Sequence, residues 1–195
     1  MKRLTSLFLT LVTLTTFSCN RTPKGIDPAS VQAVKVQLDI LQDTVDARWQ
    51  EMQTSDDAKL HATRQLLREL TTQPGIDRTR LAQLQYANDR LAHRRYTQQT
   101  MAESALIDAY DTAQDSLLRV VYAVALPPDQ EPAAPIKTLT NQIQSADAEL
   151  VNFRIRYDQA ASRFNNYLQV HTAELEQLGG KYSKLRPLPL FTLQE

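Results

Sequence analysis

Apolar side chains recur at alternating steps of three and four along most of this chain. Val31, Val34, Leu38, Leu41 and Val45 form one stripe, extended by Trp49 and Met52, which is the spacing of an amphipathic helix. In front of it, Asp27-Pro28 supplies an N-cap followed by proline at the first helical position. The stripe weakens over residues 53–59, where Thr54-Ser55-Asp56-Asp57 either caps a new helix or sits as a polar patch in a continuous one. Leu60, Leu66, Leu67 and Leu70 then restore it. Pro74-Gly75 predicts a turn, and Asp77 a cap for a second helix carrying Leu81, Leu84 and Leu91. That helix is expected to run on through a polar middle, residues 89–99, into Leu106, Tyr110, Ala113, Leu117, Val121 and Val124, and to stop at Pro127-Pro128.

The proline-rich stretch 127–135 reads as a connector. Beyond it the pattern is the most regular in the chain. One seam holds Ile136, Ile143, Leu150, Tyr157, Phe164, His171 and Leu178, the other Leu139, Ala146, Phe153, Ala160, Tyr167 and Glu174. A seven-residue repeat kept this long implies helices packed with a left-handed supercoil, and Gly179-Gly180 supplies the stop. Each seam covers one side of its helix only, so burial at roughly 25 cal/mol per Å² has to come from mutual packing. The expected fold is all-α, a long antiparallel three- to four-helix bundle over residues 28–180. Helices of about 45 residues would be about 65 Å long. In a three-helix version the first and third helices run the same way. The 127–135 connector then lies near the start of the first helix, with the Pro74-Gly75 turn and the tail at the far end.

The N-terminus adds a location. Met1-Lys2-Arg3 precedes an apolar run, residues 4–17, which is shorter than the roughly 20 residues a membrane-crossing helix needs. Ser18 and Cys19 close it, and Cys19 is the sole cysteine. Residues 1–18 therefore read as a bacterial lipoprotein signal peptide, cut so that Cys19 carries lipid. Thr16 stands where such signals usually have leucine, and Thr16-x-Ser18 also suits an ordinary signal peptidase cutting the same bond. Residues 19–27, with Pro23 and Gly25, read as a flexible tether of about 25 Å. With its one thiol lipidated, the folded part has none left for disulfides, thiolate metal sites or nucleophilic catalysis. Lysine plus arginine number 22 against 22 acidic residues, so no basic field invites nucleic acid.

Several stretches resemble the LemA family of membrane-attached bacterial helical-bundle proteins, over residues 36–191. Leu38, Leu41, Val45 and Trp49 resemble the family's opening stripe. Leu117 and Arg119-Val120-Val121 before Pro128-Asp129 resemble its leucine-rich run into a Pro-Asp turn. Leu150, Arg154, Tyr157-Asp158 and Phe164-Asn165 are similar to its arginine and Tyr-Asn pattern, and Pro187-Leu188-Pro189-Leu190-Phe191 to its closing tail. The chain departs from the family over residues 56–65, which lack the family's basic pair and proline, and at His171-Thr172, where the family has Phe-Pro. The resemblance implies a membrane-attached bundle whose biochemical role is poorly defined.

Three groups of residues are candidates for function. A turn at 74–75 places residue i level with about 149 minus i, which sets Asp56 and Asp57 opposite His93, Arg94 and Arg95. The same arithmetic across the second connector brings His171 to that height beside His61, so His61, His93 and His171 could together hold a divalent metal. Di-metal bundles use a Glu-x-x-His spacing, absent here, and interior hydrogen bonding is the competing role for His171. Arg154, Tyr157 and Asn165 are expected to hydrogen-bond across helices and fix the bundle register. The tail, residues 181–195, is too apolar to be left in water. Leu185, Leu188, Leu190 and Phe191 either dock along the bundle or contact a partner, while Pro187 and Pro189 favour an extended form. No glycine-rich phosphate loop or nucleophile elbow appears. The expected activity is therefore that of a non-enzymatic adaptor in the cell envelope, facing the periplasm or exterior. It would bind the membrane through the lipid on Cys19, need no other cofactor, and meet an envelope protein partner. The rival is a small-ligand or metal-binding bundle using the polar middle.

Overall fold

The computed structural model describes residues 30–129 and 131–191, and every regular element among them is helical. Helix α1 spans Val31–Leu70, α2 Arg78–Leu91, α3 Ser104–Ala125, α4 Ala134–Val170 and α5 Thr172–Leu178. Single 3-10 turns occupy Ala92–Arg94, Thr100–Ala102 and Tyr182–Lys184. The leader, Cys19 and the tether lie outside the described residues, as do Asp27 and Pro28. The observed cap of α1 is Ser30, whose hydroxyl accepts from the Ala33 N–H at 3.1 Å. The polar patch at 54–57 leaves α1 unbroken, because Asp56 and Asp57 find their partners on other elements.

Paired contacts fix the direction of each helix. The buried Asn88 amide donates to the Leu60 carbonyl at 3.1 Å, and Arg95 reaches Asp57 at 2.6 Å, so α2 returns along the second half of α1. Against α4, Tyr167 donates to the Val34 carbonyl, Trp49 packs on Tyr157, and Lys59 pairs with Asp147. Partner numbers on α4 fall as those on α1 rise, so α4 runs back along the whole of α1. The expectation that the two long helices run the same way is thus corrected.

The cause lies between residues 92 and 103, where one long second helix was expected and the chain instead reverses. Arg95 has extended backbone, with ψ 134. Thr97 and Thr100 then cap each other, each main-chain N–H donating to the other's hydroxyl, at 2.8 and 3.1 Å. Side-chain capping of this kind offers the main chain an alternative to helix. With α3 as an extra return, the 126–133 connector shares an end with the Pro74-Gly75 turn, where Gly75 takes φ 76. The C-terminal tail starts instead beside the first turns of α1, where Lys181 and Tyr182 meet Asp39.

One continuous core runs through the molecule. Leu66, Leu67, Leu70, Leu81, Val121 and Ile143 fill its distal half, towards the end of α1. Val34, Leu38, Val45, Phe164, Leu168 and Leu175 fill the proximal half. The α4 seam keeps its heptad throughout, but beyond Tyr157 the neighbouring positions Ala161, Leu168 and Leu175 are buried as well, because a second layer packs there. Among the described residues Lys59 is the one buried lysine, its side chain 2% exposed and its Nζ 2.9 Å from Asp147, whose own side chain is 46% exposed. Removing Asp147 strands the buried charge of Lys59, whereas an apolar residue in place of Lys59 leaves only an exposed carboxylate. Asp147→Ala is therefore expected to lower stability by about 1–3 kcal/mol in urea unfolding, and adding Lys59→Met should recover most of that loss.

Candidate functional site

Halfway along the bundle, the 92–103 reversal closes over a network of polar side chains. Asp56 accepts from the Tyr110 hydroxyl at 2.5 Å and the Gln114 amide at 3.0 Å, and its carboxylate lies 2.7 Å from Arg95. Arg95 also holds Asp57 at 2.6 Å. A second ion pair sits alongside, Arg154 on α4 with both oxygens of Asp111 on α3 at 2.8 Å, and the same guanidinium donates to the Tyr96 hydroxyl at 3.2 Å. Burial and the nearby Asp56 carboxylate push the Tyr110 hydroxyl well above the usual tyrosine range. For Arg95, burial works against the charge, but the bond to Asp57 and the field of Asp56 outweigh it and keep the guanidinium charged. These groups pair with one another but leave the Nε of Arg95 and of Arg154 buried without a partner, and the space between them is about 20 Å³, room for about one water and for no organic ligand.

Below this network lies a groove of different character. Residues 185–191 run extended along α1 and α4, opposite in direction to α4. Gly179 and Gly180, with φ 66 and 57, turn the chain out of α5 to start the run. The Asn165 side chain meets both main-chain polar groups of one residue, Leu188. Its amide donates to the Leu188 carbonyl at 2.8 Å, and its oxygen accepts the Leu188 N–H at 2.7 Å. Tyr157 donates to the Pro189 carbonyl at 3.2 Å, and Asp158 accepts the Phe191 N–H at 2.8 Å. Phe191 sits inside an aromatic box. Its ring stacks on Trp49 at 6.4 Å and meets the edges of Tyr157 at 5.6 Å and Tyr96 at 5.9 Å. Arg154 lies over its face at 5.0 Å, in cation–π geometry. Burial raises the Tyr157 hydroxyl to about 12.

The sequence-derived candidates distribute unevenly over this arrangement. Arg154 ties α4 to α3 and to the reversal, while Tyr157 and Asn165 hold the tail rather than another helix. Leu185, Leu188, Leu190 and Phe191, candidates for a partner's contact, are partly buried on the chain's own core. Of the residues placed opposite Asp56 and Asp57, Arg95 makes the contacts, and His93 and Arg94 are exposed. The three histidines do not converge. His171 packs on Tyr167 and faces Glu174 at 3.4 Å near the start of α1, roughly 40 Å along the bundle from His61 at 1.5 Å per residue. Among the described residues, no group of three or more His, Cys, Asp or Glu side chains is placed to hold a metal. The metal expectation failed because it assumed an unbroken second helix. Sequence reasoning missed Tyr96, Tyr110, Gln114 and Asp158. All but Tyr110 occupy polar or irregular positions whose neighbours depend on the reversal and the returning tail.

Two outcomes follow from this geometry. Tyr157 is protonated in both folded and unfolded chains below pH 10, so its contribution is constant there. Between pH 10 and about 12 only the unfolded chain loses the proton, and stability falls. The expected slope is on the order of 1 kcal/mol per pH unit. Urea midpoints across this range should show it, and Tyr157→Phe should remove this one group's share of the slope, with Tyr110 and Tyr122 supplying the rest. Phe191→Ala should cost about 1–3 kcal/mol, below the usual loss for a fully buried phenylalanine. It should also expose the tail to trypsin after Lys184, a site that is cut slowly in the wild-type chain. No family model, curated protein or solved structure gives a significant match to this chain.

Proposed function

We propose that this chain is a lipid-tethered, extracytoplasmic helical-bundle protein of the bacterial envelope, acting as a non-enzymatic adaptor, in keeping with its resemblance to the LemA family. The observation that carries the reading is the leader, a basic start and a short apolar run closing at the sole cysteine, Cys19, a few polar residues before the bundle begins. Attachment through acyl chains suits a body in which, among the described residues, no helix is long and apolar enough to cross a membrane. Two or more acyl chains on one cysteine give stable anchoring where a single chain does not. The adaptor role is supported by the polar middle, whose charges pair with one another around too little space for a ligand. Apolar side chains left in water on the long helices, Ile40 and Val151 among them, offer faces to partners.

Anchoring is tested by fractionation and intact mass. The wild-type chain should sit in the membrane fraction, with the mass of the chain from Cys19 onward plus acyl groups, and Cys19→Ser should lose both properties. A Cys19→Ser protein that stays in the membrane with unchanged mass would overturn it. The adaptor role is tested by in-cell crosslinking and mass spectrometry, which should recover a reproducible envelope protein partner.

A further inference from the structure

We infer that the groove on α1 and α4 now filled by residues 185–191 is a peptide-recognition site. Its ligand is an extended, proline-containing apolar segment of a partner protein with an aromatic residue two places after a proline, and the chain's own tail is its tethered occupant. The inference deepens the adaptor reading by naming the contact site.

The hydrogen bonds that bundle side chains make to residues 185–191 all go to main chain of the tail. Asn165 grips the N–H and carbonyl of Leu188, Tyr157 the Pro189 carbonyl, and Asp158 the Phe191 N–H. A side-chain amide carries the donor and acceptor pair of a peptide group, so these bonds accept any extended chain in the right register. Selectivity comes from two other features. Pro187 and Pro189 have no N–H to satisfy and hold the backbone extended. The box of Trp49, Tyr96, Tyr157 and Arg154 takes one aromatic ring, here Phe191. Main-chain bonds for affinity, with aromatic-lined pockets for specificity, are how modules that bind extended peptides work.

The occupant is also separable from the fold that holds it. Residues 185–191 lie outside every helix, connect to α5 through two glycines in the left-handed region, and leave Arg186 and Pro187 exposed. Open grooves flank the segment on both sides, about 730 Å³ towards α5 and about 630 Å³ towards the 99–107 stretch. The tail can therefore leave without breaking a helical hydrogen bond. As a tethered ligand it acts at an effective concentration of about millimolar, so a partner segment displaces it only by binding more tightly than the tail or by exceeding that concentration.

The test uses the full chain and a labelled synthetic peptide with the sequence of residues 185–191. Trp49, the sole tryptophan, reports on the box, peptide anisotropy on binding, and far-UV circular dichroism on the fold. Phe191→Ala weakens the tethered competitor and should bind the peptide at least tenfold more tightly than the wild-type chain does. Adding Asn165→Ala, or replacing the peptide's phenylalanine by alanine, should weaken binding about tenfold. If Phe191→Ala loses helicity, wild-type chain titrated to millimolar peptide gives the same readout. Absence of saturable binding to a helical protein would overturn the proposal, as would wild-type dimers in sedimentation that exchange tails, which would make a second copy the occupant. Either failure leaves crosslinking to partners through other faces untouched.

Discussion

Unequal helix length is the constraint on which the rest of this structure depends. Helices α1 and α4 pair along their whole extent, but α2 and α3 cover only the distal half, because the chain turns back at residues 92–103. In the proximal half the apolar faces carrying Val34, Leu38, Val45, Phe164 and Leu168 would meet water on one side. Burial at about 25 cal/mol per Å² makes that exposure costly. The chain covers them with α5 and an extended tail. A strap of proline and leucine thus does the work of a third helix there, and half-covered edges remain where a helix would have sealed them.

The reversal and the strap meet at one place. Arg154 bonds Asp111 on α3 and Tyr96 in the reversal while lying over Phe191 in the tail. The polar network above and the aromatic box below therefore share a residue. Network members removed singly would leave partially satisfied charges in a dry site, which is why such clusters fix one arrangement of the chain more than they add stability. Buried tyrosines around this centre, held protonated by their surroundings, couple the same region to alkaline pH.

The function proposed for the molecule draws on two separate sources. Anchoring rests on Cys19 and the leader before it, chemistry that is local in sequence and needs no fold to be read. The contact site rests on Asn165, Asp158 and the aromatic box, which are scattered over α1, α4 and the reversal.

Helix formation was written in the sequence, because the three-and-four spacing of Val34, Leu38 and Val45 and the heptad from Ile136 onward impose an amphipathic helix whatever their partners are. The stops at Pro74-Gly75 and Gly179-Gly180 were equally local, since each depends on the φ that proline or glycine permits. The level of Arg95 against Asp56 and Asp57 was also legible, as a short turn fixes the register of the two helices it joins. What the sequence left open was every choice between alternatives of similar local quality. A polar stretch such as 89–99 can sit on the solvent face of a helix or leave it, and only packing against α1 and α4, with Thr97 and Thr100 capping each other, decided for reversal. That decision set the direction of α4, separated His171 from His61, and created the uncovered face on which Leu188 and Phe191 dock. Apolar periodicity specifies that a face is buried; which element buries it is a property of the whole chain, settled only when the tertiary structure closes.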